Sequence, residues 1–248
     1  MKNFSKLVVL GALLCTSASF ALADTVSLGS FATGTTAASL GFSASQTAMN
    51  LAGFTPFATP PAIGSTPTLL NGTASTFTLL PDSTWGLPTG NSTWIGTANG
   101  GPGGTANPSY GYYQFTTQFT ALGGSYDGTM SLMADDTAEV LLNGVVILPF
   151  TSLGSDTRCA DTGVSCTVAD VIQLSNLNLL SGTDANMFTF VVEQAGILGS
   201  GGDPSGLNFT TTLTRAVAPE PASLIFFATG LLGTVPIFLR RRVRAAAS

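Results

Sequence analysis

Few side chains in this 248-residue chain have the type and spacing to do chemistry, and most of those that do are acids. Asp135 and Asp136 stand side by side, Glu139 follows three positions on, and Glu193 is the other glutamate between Asp24 and Ala218. The hard oxygens of Asp135, Asp136 and Glu139, joined by backbone carbonyls from a turn, suit calcium. Against that, acids in turns are ordinarily solvated, and the chain has no twelve-residue calcium loop. A paired-carboxylate hydrolase needs two acids held about 5 to 9 Å apart across a cleft. Neighbours in a strand point to opposite faces, and no spacing brings Glu139 or Glu193 to a partner. Histidine is absent from the whole chain, which removes the triads that use it as a base. The expectation is a protein that is not an enzyme, with no catalytic residue and no cofactor, and with Asp135, Asp136 and Glu139 as candidate ligands for a structural calcium.

Aromatic rings offer a second kind of chemistry. Trp85, Trp94 and Tyr112, with Tyr110 and Tyr113, could form a platform on which sugar rings stack. The competing expectation is that they fill the core, with Tyr112 as the exception because its parity opposes that of Tyr113. The segment "NGGPGGTANP" from Asn99 to Pro108 has the glycines of a phosphate loop but no Lys and no following helix, so it reads as a turn-rich loop. Of the three cysteines, Cys159 and Cys166 flank "ADTGVS", and in an oxidising compartment they read as a local disulfide. The chain-entropy model gives about 2.5 kcal/mol for so short a loop. Two thiols without histidine make a poor zinc site, and the spacing is not that of a redox pair.

The elements that must position these residues read as short strands between turns. "YGYYQFTTQFTAL" from Tyr110 to Leu122 puts Tyr113, Phe115, Thr117 and Phe119 on one face of an extended strand. A strand over Thr129–Met133, a turn at Ala134, Asp135 and Asp136, and a strand over Ala138–Leu142 predict an antiparallel pair. Asn143-Gly144 is a type I′ hairpin signal leading into Val145–Leu148. "NMFTFVVEQAG" separates Met187 and Val191 from Phe188 and Phe190, and Leu207–Ala216 is the last alternating segment. Thr55 to Thr68, "TPFATPPAIGSTPT", reads as an exposed loop or linker.

Charge is concentrated at the ends. Residues 24–218 keep two basic residues, Arg158 and Arg215, and twelve of the thirteen acids, for a net charge of −10. That field repels phosphate backbones and argues against a nucleic-acid partner. Charged residues make up 8% of the chain against an ordinary value of about 25%, while a 44% apolar content supplies surface to bury and argues against disorder. Lys2 and Lys6, an apolar centre over Leu7–Leu14, and Ala21-Leu22-Ala23 before Asp24 form the layout of a secretory signal peptide, residues 1–23, cleaved between Ala23 and Asp24. Cys15 is preceded by Leu13 and Leu14 rather than by the small residue that lipoprotein processing wants. Residues 222–239 carry no ionisable group and, as a helix, would span about 27 Å, close to the thickness of a bilayer core. Arg240, Arg241 and Arg242, with Arg244, hold that flank in the cytoplasm and leave the body outside. A buried core helix is the alternative for 222–239, but arginines sit awkwardly beside a core.

Pro219-Glu220-Pro221, an apolar helix and Arg240-Arg241-Arg242, in that order and spacing, resemble the PEP-CTERM sorting signal of bacterial exported proteins. The resemblance covers about thirty residues. It implies an exosortase-type transpeptidase as partner after signal peptidase and the inner membrane, removal of the tail, and delivery of the body to the cell surface or extracellular matrix. "WIG", "YGYYQFTTQFTAL", "MADDTAEVLLNG", "FTFVVEQAG" and "DPSGLNFTTTL" are similar to the bodies of PEP-CTERM surface proteins. That resemblance runs roughly from Trp94 to Thr214, with residues 24–84 outside it, and implies an all-β, antiparallel jelly-roll β-sandwich of the galactose-binding-like kind; the sandwich domain is expected over residues 24–218, with a signal helix before it and a transmembrane helix after it. Asp203 stands where that pattern usually has Asn. The implied role is non-catalytic and structural. The alternative is a carbohydrate-binding module of the cell envelope or extracellular polysaccharide, with Tyr112, Trp85 and Trp94 as candidate ligand contacts.

Overall fold

Alternation of large apolar and small polar side chains dictates long strands here, and the computed structural model is built of them. It describes residues 24–56, 74–80, 85–97, 110–150, 166–194 and 205–215. The strands are β1 (Thr25–Gly29), β2 (Asn50–Pro56), β3 (Ala74–Ser75), β4 (Phe77–Thr78), β5 (Ile95–Gly96), β6 (Gly111–Ala121), β7 (Gly124–Asp135), β8 (Thr137–Leu142), β9 (Val145–Leu148), β10 (Asp170–Leu179), β11 (Gly182–Gln194) and β12 (Gly206–Arg215). A 3-10 turn at Ala37–Leu40 is the one helical piece among the described residues. One six-stranded sheet runs β10-β7-β12-β5-β4 with β1 beside β12, and the other runs β3-β2-β6-β11-β8-β9. Every strand pairing is antiparallel.

The sheets face each other across one core, giving a sandwich-like architecture. Tyr113, Phe115 and Phe119 of β6 pack with Phe188 and Phe190 of β11 from one side, and with Tyr126, Met130 and Leu132 of β7 and Phe209 of β12 from the other. The rings of Phe190 and Phe209 lie 4.4 Å apart and join the two sheets directly. Full burial of such a ring is worth about 1.5 to 3 kcal/mol, so a handful of them outweighs any single polar contact in the fold. The face expected for Tyr113, Phe115 and Phe119 is the core face.

The turn at Asp135-Asp136 does not make the expected hairpin. β7 pairs with β10 and β12 in one sheet, whereas β8 pairs with β11 and β9 in the other. The chain crosses between sheets at Asp135-Asp136, because the apolar face of each strand is covered only by entering opposite layers. The β8–β9 hairpin forms as expected, with Asn143 at φ 51° and Gly144 at φ 80°, the left-handed pair that a type I′ turn requires.

β1 and β12 run side by side, Thr25 opposite Thr214, and the Arg215 N–H donates to the Asp24 carbonyl at 2.8 Å. The first and last described residues therefore leave the sheet next to each other. Buried polar side chains complete the backbone where ladders stop. The Gln46 amide accepts from the Gly29 N–H at 3.1 Å and donates to the Gly29 carbonyl at 2.7 Å, and Asn186 does the same for Leu180. Such satisfaction is what allows amides inside a core.

Asp24–Ala216 forms one compact unit, apart from the two termini. Among the described residues no helix is long and apolar enough to cross a membrane. The expected signal helix with Ala23, the expected membrane helix 222–239, and the sorting residues Pro219, Glu220, Pro221, Arg240, Arg241 and Arg242 lie outside the described residues. So do Cys159 and most of the proline-threonine stretch.

Candidate functional site

The sheet crossing at Asp135-Asp136 gathers the acids. Asp135 ends β7 opposite Gly206 of β12, and Thr137 opens β8 opposite Glu193 of β11. Asp136, between them, donates its backbone N–H to the Glu193 carbonyl at 3.0 Å. The two aspartates thus serve different layers.

Asp135 is well supplied with donors and contacts. Its Oδ2 accepts from the Trp85 indole N–H at 2.6 Å, and its carbonyl accepts from the Ser205 hydroxyl at 2.7 Å. Trp85 stacks on Trp94 at 4.3 Å, and both rings lie against Met133, Leu79 and Cys166 in a small second core. Gly206 makes this possible: a Cβ there would come within 2.7 Å of the Trp85 ring.

Glu193 is the opposite case. It is completely buried on the face of its sheet turned away from the main core, between Tyr112 of β6 and Thr137 of β8 in register. Neither carboxylate oxygen accepts a hydrogen bond. Burial pushes its carboxyl up to about 7, and the charge of Asp136 adds to the rise. Asp136 is also fully buried. Glu139 stands two positions along β8 from Thr137, opposite Val191, half-buried, and desolvation raises it as well.

These positions correct several expectations. Tyr112 does oppose Tyr113 in parity, but it is fully buried, with the Phe150 ring 5.7 Å away. Trp85 and Trp94 stack on each other and are buried, which meets the competing expectation that they fill the core and not the one that they contact a ligand. The three rings therefore offer no open sugar platform: an aromatic face stacks on a ligand only where it is not already stacked on protein. Asp135, Asp136 and Glu139 do not converge as a calcium cluster, since no group of three or more Cys, Asp or Glu side chains able to hold a metal occurs among the described residues. The neighbour missed in the sequence is Glu193, brought beside Asp136 by a contact across 57 positions. Its one local trace is an acid inside the apolar run "FTFVVEQ", on the parity opposite to Phe188, Phe190 and Val192.

Elsewhere a groove of about 310 Å³ is lined by Thr47, Asn50, Thr116, Thr117, Gln118 and Met187. Hydroxyls, amides and one thioether give it hydrogen-bonding capacity without an acid or base.

The chain matches no family and no curated protein. One solved structure it matches is a β-glucosidase from Kluyveromyces marxianus in complex with glucose, 14% identical, with 69% of this chain and 16% of that chain covered and a TM-score of 0.27. A likeness at that level carries no argument about fold or function.

Proposed function

We propose that this chain is an exported, non-catalytic surface or matrix protein whose sandwich body has a jelly-roll topology. In this reading the body travels with a cleaved signal peptide ahead of it and a PEP-CTERM sorting segment behind it. The observation that carries the reading is the adjacency of the body's two ends. β1 and β12 pair, so residue 24 and residue 215 leave the sheet side by side. A body so built can be drawn out behind one segment and held by the other without strain on its sheets. The signal peptide would be removed by signal peptidase after Ala23, the apolar segment 222–239 would hold the body at the inner membrane with Arg240, Arg241 and Arg242 inside, and an exosortase-type transpeptidase would act near Pro219-Glu220-Pro221. The Cys159–Cys166 bridge belongs to the same reading, because export places both thiols in an oxidising compartment.

Deleting residues 219–248 tests this. The expected result is release of the body into the medium with its fold intact. Retention of the truncated protein inside the cell, or an unchanged attachment to the envelope, would contradict it.

A second reading, a carbohydrate-binding module, is favoured by the groove lined by Asn50, Thr116 and Gln118, whose amides and hydroxyl match sugar hydroxyls. Glycan-array binding that is lost on Gln118→Ala would support it. An array with no bound glycan would leave the structural role.

A further inference from the structure

The walls of the groove beside β6 are fixed by the fold itself. Thr47 is tied to Gln118 much as a neighbouring strand would be: its N–H donates to the Gln118 carbonyl and its hydroxyl accepts from the Gln118 N–H, each at 2.9 Å. The Thr117 hydroxyl donates to the Thr47 carbonyl at 2.7 Å. The Asn50 side chain donates to the Ala48 carbonyl at 3.1 Å, which leaves its oxygen as an acceptor. Across the groove, Met187 is held by Asn143, whose side-chain oxygen accepts the Met187 N–H at 2.8 Å and whose own N–H donates to the Met187 carbonyl at 2.9 Å. Walls set in this way lose little freedom when a ligand enters. Among the described residues, the Gln118 side-chain amide and the Thr116 hydroxyl are engaged by no neighbouring group.

Gln118 of β6 and Met187 of β11 stand directly opposite each other in register, so their Cβ atoms are about 4.5 to 5.5 Å apart. An amide with a free donor and a free acceptor thus sits beside a soft, apolar thioether. We propose that this pair recognises the acetamido group of a neutral N-acetylated sugar, an inference that rests on the reading of the groove as a carbohydrate site and names its ligand class. An acetamido group carries a carbonyl, an N–H and a methyl within a few bonds. The Gln118 amide pairs with the first two, and the Met187 thioether receives the methyl. Thr116, Thr47 and the Asn50 oxygen are left for the hydroxyls of the ring. The groove's volume of about 310 Å³ is at the low end of ligand cavities, about 300 to 1,000 Å³, so it takes one sugar residue with its substituent rather than a long stretch of chain. No charged side chain lines it, and residues 24–218 carry a net charge of −10, so a glycan of uronic acids is repelled and meets no cation there. A plain hexose enters but leaves the amide without its partner, and a site built to bond an N–H discriminates against a ligand that lacks it.

The test titrates the full chain, purified in mild detergent, with three trisaccharides in separate calorimetric runs: triacetylchitotriose, cellotriose, which shares its linkage and lacks the acetamido groups, and trigalacturonate. The expected result is a Kd for triacetylchitotriose at least about tenfold below that for cellotriose, and no binding of trigalacturonate. Gln118→Ala and Met187→Ala should each bring the Kd for triacetylchitotriose close to that for cellotriose, while Thr212→Ala, at an exposed position on the other sheet, should keep the preference. Circular dichroism shows that each variant is folded, and Gln118 is exposed, so its truncation leaves the core intact. Equal affinity of the wild type for the two neutral sugars, weakened alike by Gln118→Ala, would overturn the acetamido assignment and leave a carbohydrate site in the groove. A preference for triacetylchitotriose that survives in both variants would overturn it as well. Failure of the folded wild-type chain to bind any of the three would overturn the assignment together with the carbohydrate reading.

Discussion

At one end of β7, Asp24 is met on all sides: Tyr126 donates its hydroxyl to Asp24 Oδ2 at 2.5 Å, Leu122 donates its N–H at 3.1 Å, and Arg215 is bonded to its carbonyl. At the other end, Glu193 is buried more deeply and receives nothing at either oxygen. The same strand therefore separates a carboxylate held by donors from one held only by burial. Enclosure alone pushes an acid such as Glu193 toward its neutral form. The Asp24 end works as a clasp, closing the first strand onto the last. The Glu193 end carries a desolvation cost that protonation relieves.

Substitutions can break that contrast, and the largest effect belongs to the Glu193 end's packing. Trp85→Ala removes a ring stacked on Trp94 and strips the indole donor from Asp135, and should cost about 3 to 5 kcal/mol by denaturant unfolding. Were Trp85 an open sugar contact instead, the loss would stay below about 1 kcal/mol.

Glu193→Gln sharpens the contrast through pH. With a carboxyl at about 7 in the folded state and 4.5 as its reference, the folded chain keeps a proton that the unfolded chain gives up between those values. Stability measured in chelator should therefore fall as pH rises from about 4.5 to about 7, by an amount on the order of 3 kcal/mol if the whole rise is realised. Glu193→Gln should lack that fall and be more stable than wild type at pH 8 by about 1 to 3 kcal/mol. Parallel stability profiles for the two chains would refute the assignment.

At the clasp, Tyr126→Phe removes the hydroxyl that reaches both Asp24 and the Leu122 carbonyl, and should cost about 1 to 2 kcal/mol with no gain at high pH. Glu139→Gln, half-buried and one row from Glu193, should change stability by less than about 0.5 kcal/mol at neutral pH.

Much of this architecture is legible in the chain, for reasons that particular residues make plain. β6, β11 and β12 alternate large apolar with small polar residues, and Asn143-Gly144 marks its hairpin because few other pairs tolerate two positive φ values. β2, with "NLAGFTP", and β10, with "DVIQLSNLNL", carry mixed patterns because one face of each is only partly covered, so periodicity does not announce them. The sheet crossing at Asp135-Asp136 is hidden for a different reason. A turn signal says that the chain reverses, not whether the next strand joins the same layer or the opposite one. The Asp136–Glu193 neighbourhood follows from that crossing, so it became visible only with the layers in place. Burial of Trp85 and Trp94 is likewise a property of the mate each ring finds, which composition does not specify.

The central claim is that the body beginning at Asp24 is exported and parted from both flanking segments. Intact-mass and terminal-peptide analysis of the native protein, recovered from the cell surface and medium, tests it most directly. The account predicts a chain whose first residue is Asp24 and whose last lies before Arg240. A mature protein that begins at Met1 and still carries Arg240 to Ser248 would contradict it.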